Sequence, residues 1–526
     1  MRNSGTIRLL GLSTVVGLSV LAAGGAAPAQ GASFTVDAAH DAVDASPGDG
    51  VCADASGACT LRAAVMEANA VPGIHTIGFL VVPVVLTIPG AGEDAALTGD
   101  LDITDGLSFS GGTVHGGGLD RVFDIDPAST GGFQVGFNAT TIRNGSTTAA
   151  GGTPDDRGGG ILNRGSAALF SSQVVDNEAH RGGGIFNEGT FTTAGFPNYI
   201  RTNRALGTPA SAGGGIYNEG TLDVSQSVIE GNSSARGGGV FNIGEADVRG
   251  GTTVNGNGAE VSGGGVYNEG TITISNSTIR SNIFDGLGNP GSDIMPGPFG
   301  TATVINSTFS GNVRSGIVNG GVLALDFVTI ASNLGTGLGA GPLGSVNVKN
   351  TLIGQNAGDD CTPWPTTVSL GHNLDSDGTC QFSGPGDISN VDPKLGPLAD
   401  NGGFGETHPH THALLAGSPA IDAANNAGCP PEDQRFILRP LDGNGDGNAV
   451  CDIGAFEADV VSPTPVPPPA PTPVATAPPA TPAILPGSGG RASSSNGTSV
   501  GALAVIGVAA VVIASGAVWH ARRVRR

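Results

Sequence analysis

Short stretches in which apolar and polar residues alternate fill the chain between residues 76 and 360. Two examples are TLDVSQSVI at residues 221–229 and TITISNSTI at residues 271–279, both rich in Val, Ile and Thr. Alternation with β-branched residues is typical of strands that bury one face. No window of this region has a convincing helical period, so the pattern predicts an all-β structure.

A glycine-rich repeat punctuates these strands, consisting of three glycines, two apolar residues and Asn-x-Gly. It begins at Gly158, Gly182, Gly213, Gly237 and Gly263, with separations of 24, 31, 24 and 26 residues. Short strands with a period near 25 residues indicate a β-solenoid, and parallel crossovers are nearly always right-handed. The sequence therefore predicts a right-handed parallel β-helix of about eleven coils, roughly 55 Å long at about 4.8 Å per coil.

Two features of the repeat predict local structure. Asn-x-Gly is expected to form a turn with positive φ, a conformation that Gly and Asn tolerate. The tripeptides are Asn187-Glu188-Gly189, Asn218-Glu219-Gly220 and Asn268-Glu269-Gly270. The glycine triplet is expected to lie at a crowded corner where neighbouring coils approach closely.

A second series of asparagines follows an apolar residue by three positions in each coil. Its members are Asn177, Asn203, Asn232, Asn257, Asn282, Asn312, Asn333 and Asn356. Because buried amides must be paired, we expect these side chains to stack coil upon coil in a hydrogen-bonded ladder. The alternative is ligand or Ca²⁺ binding, but Asn alone is a weak metal ligand.

Charge and cysteine content narrow the class of protein. The 526 residues have a formal net charge of −22 and an isoelectric point near 4.6, which argues against nucleic acid or anionic lipid surfaces as partners of the main domain. The six cysteines fall into local pairs, at 52 and 59, 361 and 380, and 429 and 451. An even count suits disulfides in an exported protein, whereas zinc is disfavoured because C-x-x-C is absent.

The two ends of the chain predict export and anchoring. Arg2 and Arg8 precede an apolar run, Leu9–Ala23, and small residues follow at 27–29. This order indicates a signal peptide over residues 1–32 rather than a permanent membrane helix. Residues 458–498 are rich in Pro, Ser and Gly, and residues 499–526 contain an apolar span, 500–519, with an Arg-rich tail. The span is long enough to cross a membrane.

A sorting-like motif precedes this span. Its residues are Leu485, Pro486, Gly487, Ser488 and Gly489, a variant of L-P-x-T-G with Ser in place of Thr. The sequence leaves two alternatives open. A sortase could cleave here and attach the chain to a cell wall, or the segment could be the end of a linker before an ordinary membrane anchor.

Two segments that flank the coils carry a family resemblance. CTLRAA at residues 59–64 resembles the hexapeptide of the CSLREA domain, with Thr60 for Ser and Ala63 for the acidic residue. TGDLDI at 98–103 and DRVFDI at 120–125 also fit. The stretch 392–429, with DQRFILRP and CDIGAFE after it, resembles the choice-of-anchor Q domain.

The resemblance covers about residues 34–457 and implies a bacterial surface protein with a β-helix similar to polymorphic outer-membrane repeats. It implies surface display with variable C-terminal anchoring and no settled biochemical activity. With the composition, it divides the mature chain into an N-terminal cap (33–75), the β-helix (76–360) and a C-terminal cap (361–457).

Candidate metal ligands occur in the C-terminal cap. Asp442, Asn444 and Asp446 place oxygens at alternate positions, as at the start of a Ca²⁺ loop, so structural calcium is the one cofactor that the sequence suggests. The twelfth position of such a loop is Ile453 rather than Glu, and a solvated turn is the alternative. His408, His410 and His412 would share one face of a strand, although a cap loop is the simpler interpretation.

A search for catalytic residues identifies one pair of carboxylates. Glu188 and Glu219 follow equivalent asparagines and could lie about 5 Å apart, but Arg164 and Ile243 occupy the matching positions on either side. We therefore expect no catalytic residue and no enzyme, but an exported surface protein that serves adhesion, glycan binding or a structural coat. Its partners would be the membrane, surface glycans or proteins, and a sortase. The alternative is a carbohydrate-active β-helix enzyme, a polysaccharide lyase or hydrolase.

Overall fold

The computed structural model describes residues 31–90, 92–148, 156–207, 210–290, 300–362, 367–403 and 409–459. These residues form the predicted all-β, right-handed parallel β-helix, so the fold prediction is confirmed. Residues 1–30, the linker beyond 459, the motif at 485–489 and the span at 500–519 lie outside the described residues. Within the described part of the chain, no helix combines the length and apolar character needed to cross a membrane.

Four parallel sheets run along the β-helix. Sheet A consists of Ser33–Val36, His75–Phe79, Leu107–Ser110, Val135–Asn138, Ser166–Phe170, Thr190–Ala194, Thr221–Ser225, Glu245–Arg249, Thr271–Ser275, Thr301–Ile305, Val322–Asp326, Ser345–Lys349 and Thr367–Gly371. Sheet B consists of Val84–Val85, Thr113–His115, Thr141–Arg143, Gln173–Val175, Asn198–Arg201, Ser227–Glu230, Thr253–Asn255, Thr278–Arg280, Thr308–Ser310, Thr329–Ala331, Leu352–Gly354, Leu374–Asp375 and Ile388–Ser389.

The other two parallel sheets are made of shorter or fewer strands. Sheet C consists of Leu101–Ile103, Phe123–Ile125, Ile161–Asn163, Ile185–Asn187, Ile216–Asn218, Val240–Asn242, Val266–Asn268, Leu287–Asn289, Ile317–Asn319 and Leu338–Ala340. Sheet D consists of Glu178–Ala179, Arg204–Ala205, Ser233–Arg236 and Gly258–Ser262. The predicted eleven coils correspond to the eleven strands of sheet A from His75–Phe79 to Ser345–Lys349.

One coil visits the sheets in the order A, B, D, C. Thr190–Ala194 lies in sheet A, Asn198–Arg201 in sheet B, Arg204–Ala205 in sheet D and Ile216–Asn218 in sheet C. Inward positions of each sheet hold fully buried Ile, Val, Leu and Phe, which form one continuous core. Near the N-terminal end the rings of Phe109, Phe123 and Phe137 pack with centroids 5.0–5.1 Å apart.

The glycine triplet lies where successive coils are too close for a side chain. The first glycine has positive φ, for example 64° at Gly182. A Cβ on the second, Gly183, would come within 2.6 Å of the Gly214 carbonyl oxygen, and one on Gly184 within 2.7 Å of the Gly215 carbonyl oxygen. The crowded corner expected from the sequence is therefore made by main chains of adjacent coils.

Asn-x-Gly differs from the expected positive-φ turn. Asn187, Asn218 and Asn268 end strands of sheet C, are fully buried, and lack positive φ. The glycines after them, such as Gly189, are required because a Cβ would overlap the carbonyl of the preceding coil. The earlier interpretation was wrong because Asn occurs both in turns and in buried amide stacks, and the tripeptide does not distinguish them.

These buried asparagines form a ladder of their own. The Nδ2 of Asn187 donates to Oδ1 of Asn218 at 2.7 Å, and Asn218 donates to Asn242 at 2.7 Å. The same contact links Asn163, Asn187, Asn218, Asn242, Asn268, Asn289 and Asn319 in order.

The asparagines after sheet B make a second ladder. Asn177 donates to Asn203 at 3.0 Å, and equivalent bonds run through Asn232, Asn257, Asn282, Asn312, Asn333 and Asn356. The last amide donates to the Asp360 carboxylate at 2.9 Å. Each oxygen of the series from Asn203 to Asn356 also accepts the backbone N–H of the asparagine one coil earlier. The two ladders pair buried amides along the middle of the β-helix.

The N-terminal segment contains the only α-helix among the described residues, Leu61–Ala70. The Thr60 hydroxyl caps it by accepting the Ala63 N–H at 3.1 Å. Arg62 is fully buried, forms an ion pair with Asp41 at 2.7 Å, and donates to the carbonyls of Ala96 and Gly99. The helix contacts the first strands of sheets A and C.

The C-terminal segment has two parts. Residues up to 389 continue sheets A and B, whereas the antiparallel pair Leu395–Ala399 and Thr411–Leu414 and the residues after it fold back along the outside of sheet B. Thr278 donates to the His410 carbonyl, and Ser310 contacts His412 at 2.9 Å. The segment expected to cap the end of the coils thus also covers their side.

All six cysteines are paired as expected. The disulfides are Cys52–Cys59, Cys361–Cys380 and Cys429–Cys451, and the prediction of disulfide bonds is confirmed.

The ladders predict that removing a single amide lowers the stability of the protein. We expect Asn218→Ala to lower the free energy of unfolding by about 1–3 kcal/mol, because Asn187 loses an acceptor and Asn242 loses a donor in a buried site. Chemical denaturation measures this. Glu245→Ala, an exposed change on the next coil, is the control, and equal effects of the two variants would contradict the ladder.

The glycine corner gives an independent prediction. Gly183→Ala should lower the free energy of unfolding by about 1–3 kcal/mol or more, because the added methyl group overlaps the main chain of the next coil. Gly78→Ala is the matched control, since a Cβ there meets no atom within 4 Å. If both variants unfold at the same denaturant concentration, the proposed close approach is wrong.

Candidate functional site

A cluster of charged side chains lies where sheet C ends in the first coils of the repeat region. The register pairs Asn163 with Asn187 and Asn187 with Asn218, so Arg164, Glu188 and Glu219 follow one another on successive coils. Arg157 makes an ion pair with Glu188, and the Arg164 Nε lies 3.6 Å from the Glu188 Oε2. We call Arg157, Arg164, Arg181, Glu188 and Glu219 the arginine–glutamate patch.

Electrostatics distinguish Glu219 from its neighbour in the patch. Glu219 is exposed, but partial desolvation against the coil surface and the charge of Glu188 raise the pKa of its carboxyl group. Arg181 and Arg157 oppose this increase. Two carboxylates on adjacent coils whose environments differ are the arrangement from which acid and base roles are built.

A stack of aromatic rings lies next to two arginines of the patch. Phe186, Tyr217, Phe241 and Tyr267 occupy the middle position of successive sheet C strands, with ring centroids 4.7, 4.8 and 5.2 Å apart. The guanidinium groups of Arg157 and Arg181 lie 5.1 and 5.6 Å from the Phe186 ring centroid. Burial, and then the charge of Glu219, raise the pKa of Tyr217, so its hydroxyl stays protonated.

A groove lies along sheet D. Its volume is about 570 Å³, and its lining includes Arg204, Ser211, Ser233, Glu260 and Ile283. These side chains offer both hydrogen-bond donors and acceptors to a ligand on the coil surface.

The residues that the sequence suggested as metal ligands are used in other ways. Asp442 accepts the backbone N–H groups of Gly445, Asp446 and Gly447, and Asn444 accepts that of Asp446. These oxygens therefore brace an exposed loop, and calcium binding there stays a prediction.

The three histidines do not come together as a described metal site. His412 is buried, contacts Ser310 and the Gly396 carbonyl, and burial lowers its pKa. His410 has a lowered pKa, first through desolvation and then through the charge of Arg280. His408 lies outside the described residues.

Sequence analysis missed a different group of carboxylates. Asp100, Asp102 and Asp124 are buried, and one oxygen of each lies within 4.8 Å of the others. The signal was present in TGDLDI and DRVFDI, because the register pairs Asp102 with Asp124 at the middle position of sheet C strands. Without the register, the separation of 22 positions between these two aspartates hides their contact.

Comparison with known proteins yields one structural likeness. No protein-family model matches the chain, and no curated protein matches it. The crystal structure of pectate lyase Pel9A resembles it with a TM-score of 0.40 and 13% sequence identity, covering 83% of this chain and 98% of the lyase. A likeness at this level concerns the β-helix fold and assigns no reaction to this chain.

The comparison nevertheless corrects one expectation. The sequence analysis expected that the chain is not an enzyme, whereas the solved structure that it resembles is that of a pectate lyase. The non-enzymatic expectation is therefore withdrawn, and the likeness assigns no activity in its place.

The patch predicts a raised pKa for the Glu219 carboxyl group. We expect the Glu219 pKa to lie above its ordinary value of 4.5, and Glu188→Gln to lower it because the adjacent like charge is removed. Carbon-13 NMR of labelled glutamate side chains measures the Glu219 pKa in the wild-type protein and in the Glu188→Gln variant. Glu230→Gln, on sheet B, should leave the Glu219 pKa unchanged, and an equal decrease in that control would contradict the assigned cause.

Proposed function

We propose that this chain is a carbohydrate-active β-helix protein that is exported and displayed at the cell surface. In this proposal a polysaccharide lies across the coils at the arginine–glutamate patch, and the patch cleaves a glycosidic bond. The observation that carries the proposal is the pair Glu188 and Glu219, in register on adjacent coils, one ion-paired with arginines and the other with a raised pKa.

The pair has the chemistry that glycosidic cleavage requires. Protonated Glu219 would donate its proton to the leaving oxygen, a role that a raised pKa favours. Glu188, held by Arg157 and Arg164, would attack the anomeric carbon, and water would then hydrolyse the resulting ester. Adjacent strands are about 4.8 Å apart, close to the roughly 5 Å separation of carboxyl groups in retaining glycosidases.

The surface around the pair suits an extended sugar polymer. Arg181 and Tyr217 interact electrostatically with Glu219, and the groove along sheet D carries serine, arginine and glutamate side chains. Guanidinium groups bind carboxylates in a bidentate manner, so a polymer that contains uronic acids is the substrate class that the patch favours.

Export and display rest on other parts of the chain. The N-terminal charged and apolar segment, three disulfides and the resemblance to CSLREA and choice-of-anchor Q proteins support secretion. The apolar span at 500–519 would retain the protein at the envelope, directly or until a sortase cleaves near Ser488. Adhesion through the same glycan contacts is compatible with this arrangement.

A depolymerisation screen tests the proposed reaction. Purified protein is incubated with a panel of uronic-acid and neutral polysaccharides, and release of reducing ends is measured. Glu219→Gln should lower the rate by about 100-fold or more, because a general acid contributes roughly that factor, while polysaccharide binding is retained. Assay for unsaturated sugar ends distinguishes elimination from hydrolysis.

The control is Glu245→Gln, which changes an exposed glutamate of sheet A outside the patch and should cleave at the wild-type rate. Absence of both cleavage and binding across the panel would contradict the proposal. A third outcome is that the wild-type protein binds a polysaccharide without cleaving it, and that Arg181→Gln abolishes this binding. That outcome would overturn the proposed reaction but retain glycan recognition, as in an adhesin.

A further inference from the structure

The carboxylates of Asp100, Asp102 and Asp124 form a buried acidic cluster at the N-terminal end of sheet C. Their exposed fractions are 5%, 1% and 6%, so bulk water does not screen them. One oxygen from each carboxylate lies within 4.8 Å of the other two, a spacing at which the three can bind a single ion. The cluster contains neither Glu188 nor Glu219, although Arg164 of the arginine–glutamate patch pairs with Asp124.

One oxygen of the cluster has no hydrogen-bond partner. Asp102 accepts the Ala96 N–H through Oδ2 at 2.9 Å, but its Oδ1 is buried and lacks any donor. Leaving a buried carboxylate oxygen unpaired is costly, so native proteins satisfy such atoms with a donor, water or a cation. The Asp102 carboxylate that carries this oxygen is one of the three from which ligand atoms lie within 4.8 Å of one another.

Nearby arginines balance only part of the charge. The Arg121 Nε lies 3.1 Å from the Asp100 Oδ2, and its Nη1 lies 3.5 Å from the Asp124 Oδ2. Arg164 also forms an ion pair with Asp124. Asp120 adds a fourth carboxylate 3.9 Å from Arg121, and Glu93 and Asp94 face Asp102 from the preceding loop. From the helix, Arg62 donates to the Asp100 carbonyl rather than to a carboxylate of the cluster.

We infer that Asp100, Asp102 and Asp124 bind a divalent cation, and that the cation is calcium. Only oxygen ligands converge here, and hard cations such as Ca²⁺ prefer carboxylate oxygens, with backbone carbonyls and water completing the coordination. The site joins the first two strands of sheet C, so its occupancy would stabilise the N-terminal end of the β-helix.

The experiment measures thermal unfolding of the full-length protein in detergent with EDTA or CaCl₂, together with ⁴⁵Ca²⁺ equilibrium dialysis. Calcium is expected to raise Tm, because an ion that binds the folded protein and not the unfolded chain stabilises the folded state. Asp102→Asn should remove about one equivalent of bound calcium and the increase in Tm, because an amide retains the shape of the side chain but loses its charge.

Asp442→Asn separates this site from the exposed loop at 442–446 and should retain the calcium-dependent increase in Tm. A wild-type protein whose Tm does not respond to calcium would overturn the inference and indicate that a proton and the arginines neutralise the cluster. A full response in Asp102→Asn, or its loss in Asp442→Asn alone, would also overturn it. If Asp102→Asn does not fold, Asp124→Asn provides the same measurement from the paired strand.

Discussion

Hydrogen bonding between buried asparagine amides fixes the register of this β-helix. Each amide before the last in the two ladders donates to the amide oxygen of the next coil, so a shift in register would leave several buried polar groups without partners at once. Apolar stacking alone would tolerate a two-residue shift more easily, because such a shift keeps the same face inward and Ile, Val and Leu can replace one another in a core. The ladders therefore give specificity to a core that supplies most of the stability.

A fixed register makes glycine indispensable at the corners. When successive coils are held in register, their main chains approach at the triplet and at the residue after Asn-x, where carbonyl oxygens occupy the space that a Cβ would need. Glycine is thus selected mainly by the neighbouring coil rather than by its own turn. This requirement explains why the glycines recur with the asparagines and why so many of the 90 in this chain lie in the repeats.

Periodicity explains what could be predicted from the sequence. The repeat spacing led to the fold and the coil number, and the local cysteine pairs led to the disulfides. The conformation of Asn187 was wrongly predicted because a tripeptide does not reveal whether its amide faces solvent or core. The packing of Gln434 and His412 against sheet B was not anticipated, since these contacts join residues more than 100 positions apart without any repeat. Neither candidate site could be assembled without the strand register.

Chemical function in such a fold depends on where the repeat changes. The middle position of the sheet C strands holds Asp102 and Asp124 in the first coils, Leu162 next, and then the aromatic stack that begins at Phe186. Stacking like charges in register is unfavourable, so aspartates at adjacent positions persist only where a cation, a proton or arginines compensate them. The same reasoning applies to Glu188 and Glu219, which are flanked by arginines and precede the apolar Ile243. Candidate functional sites on this β-helix are therefore identified by positions that depart from the stacked pattern, rather than by the pattern itself.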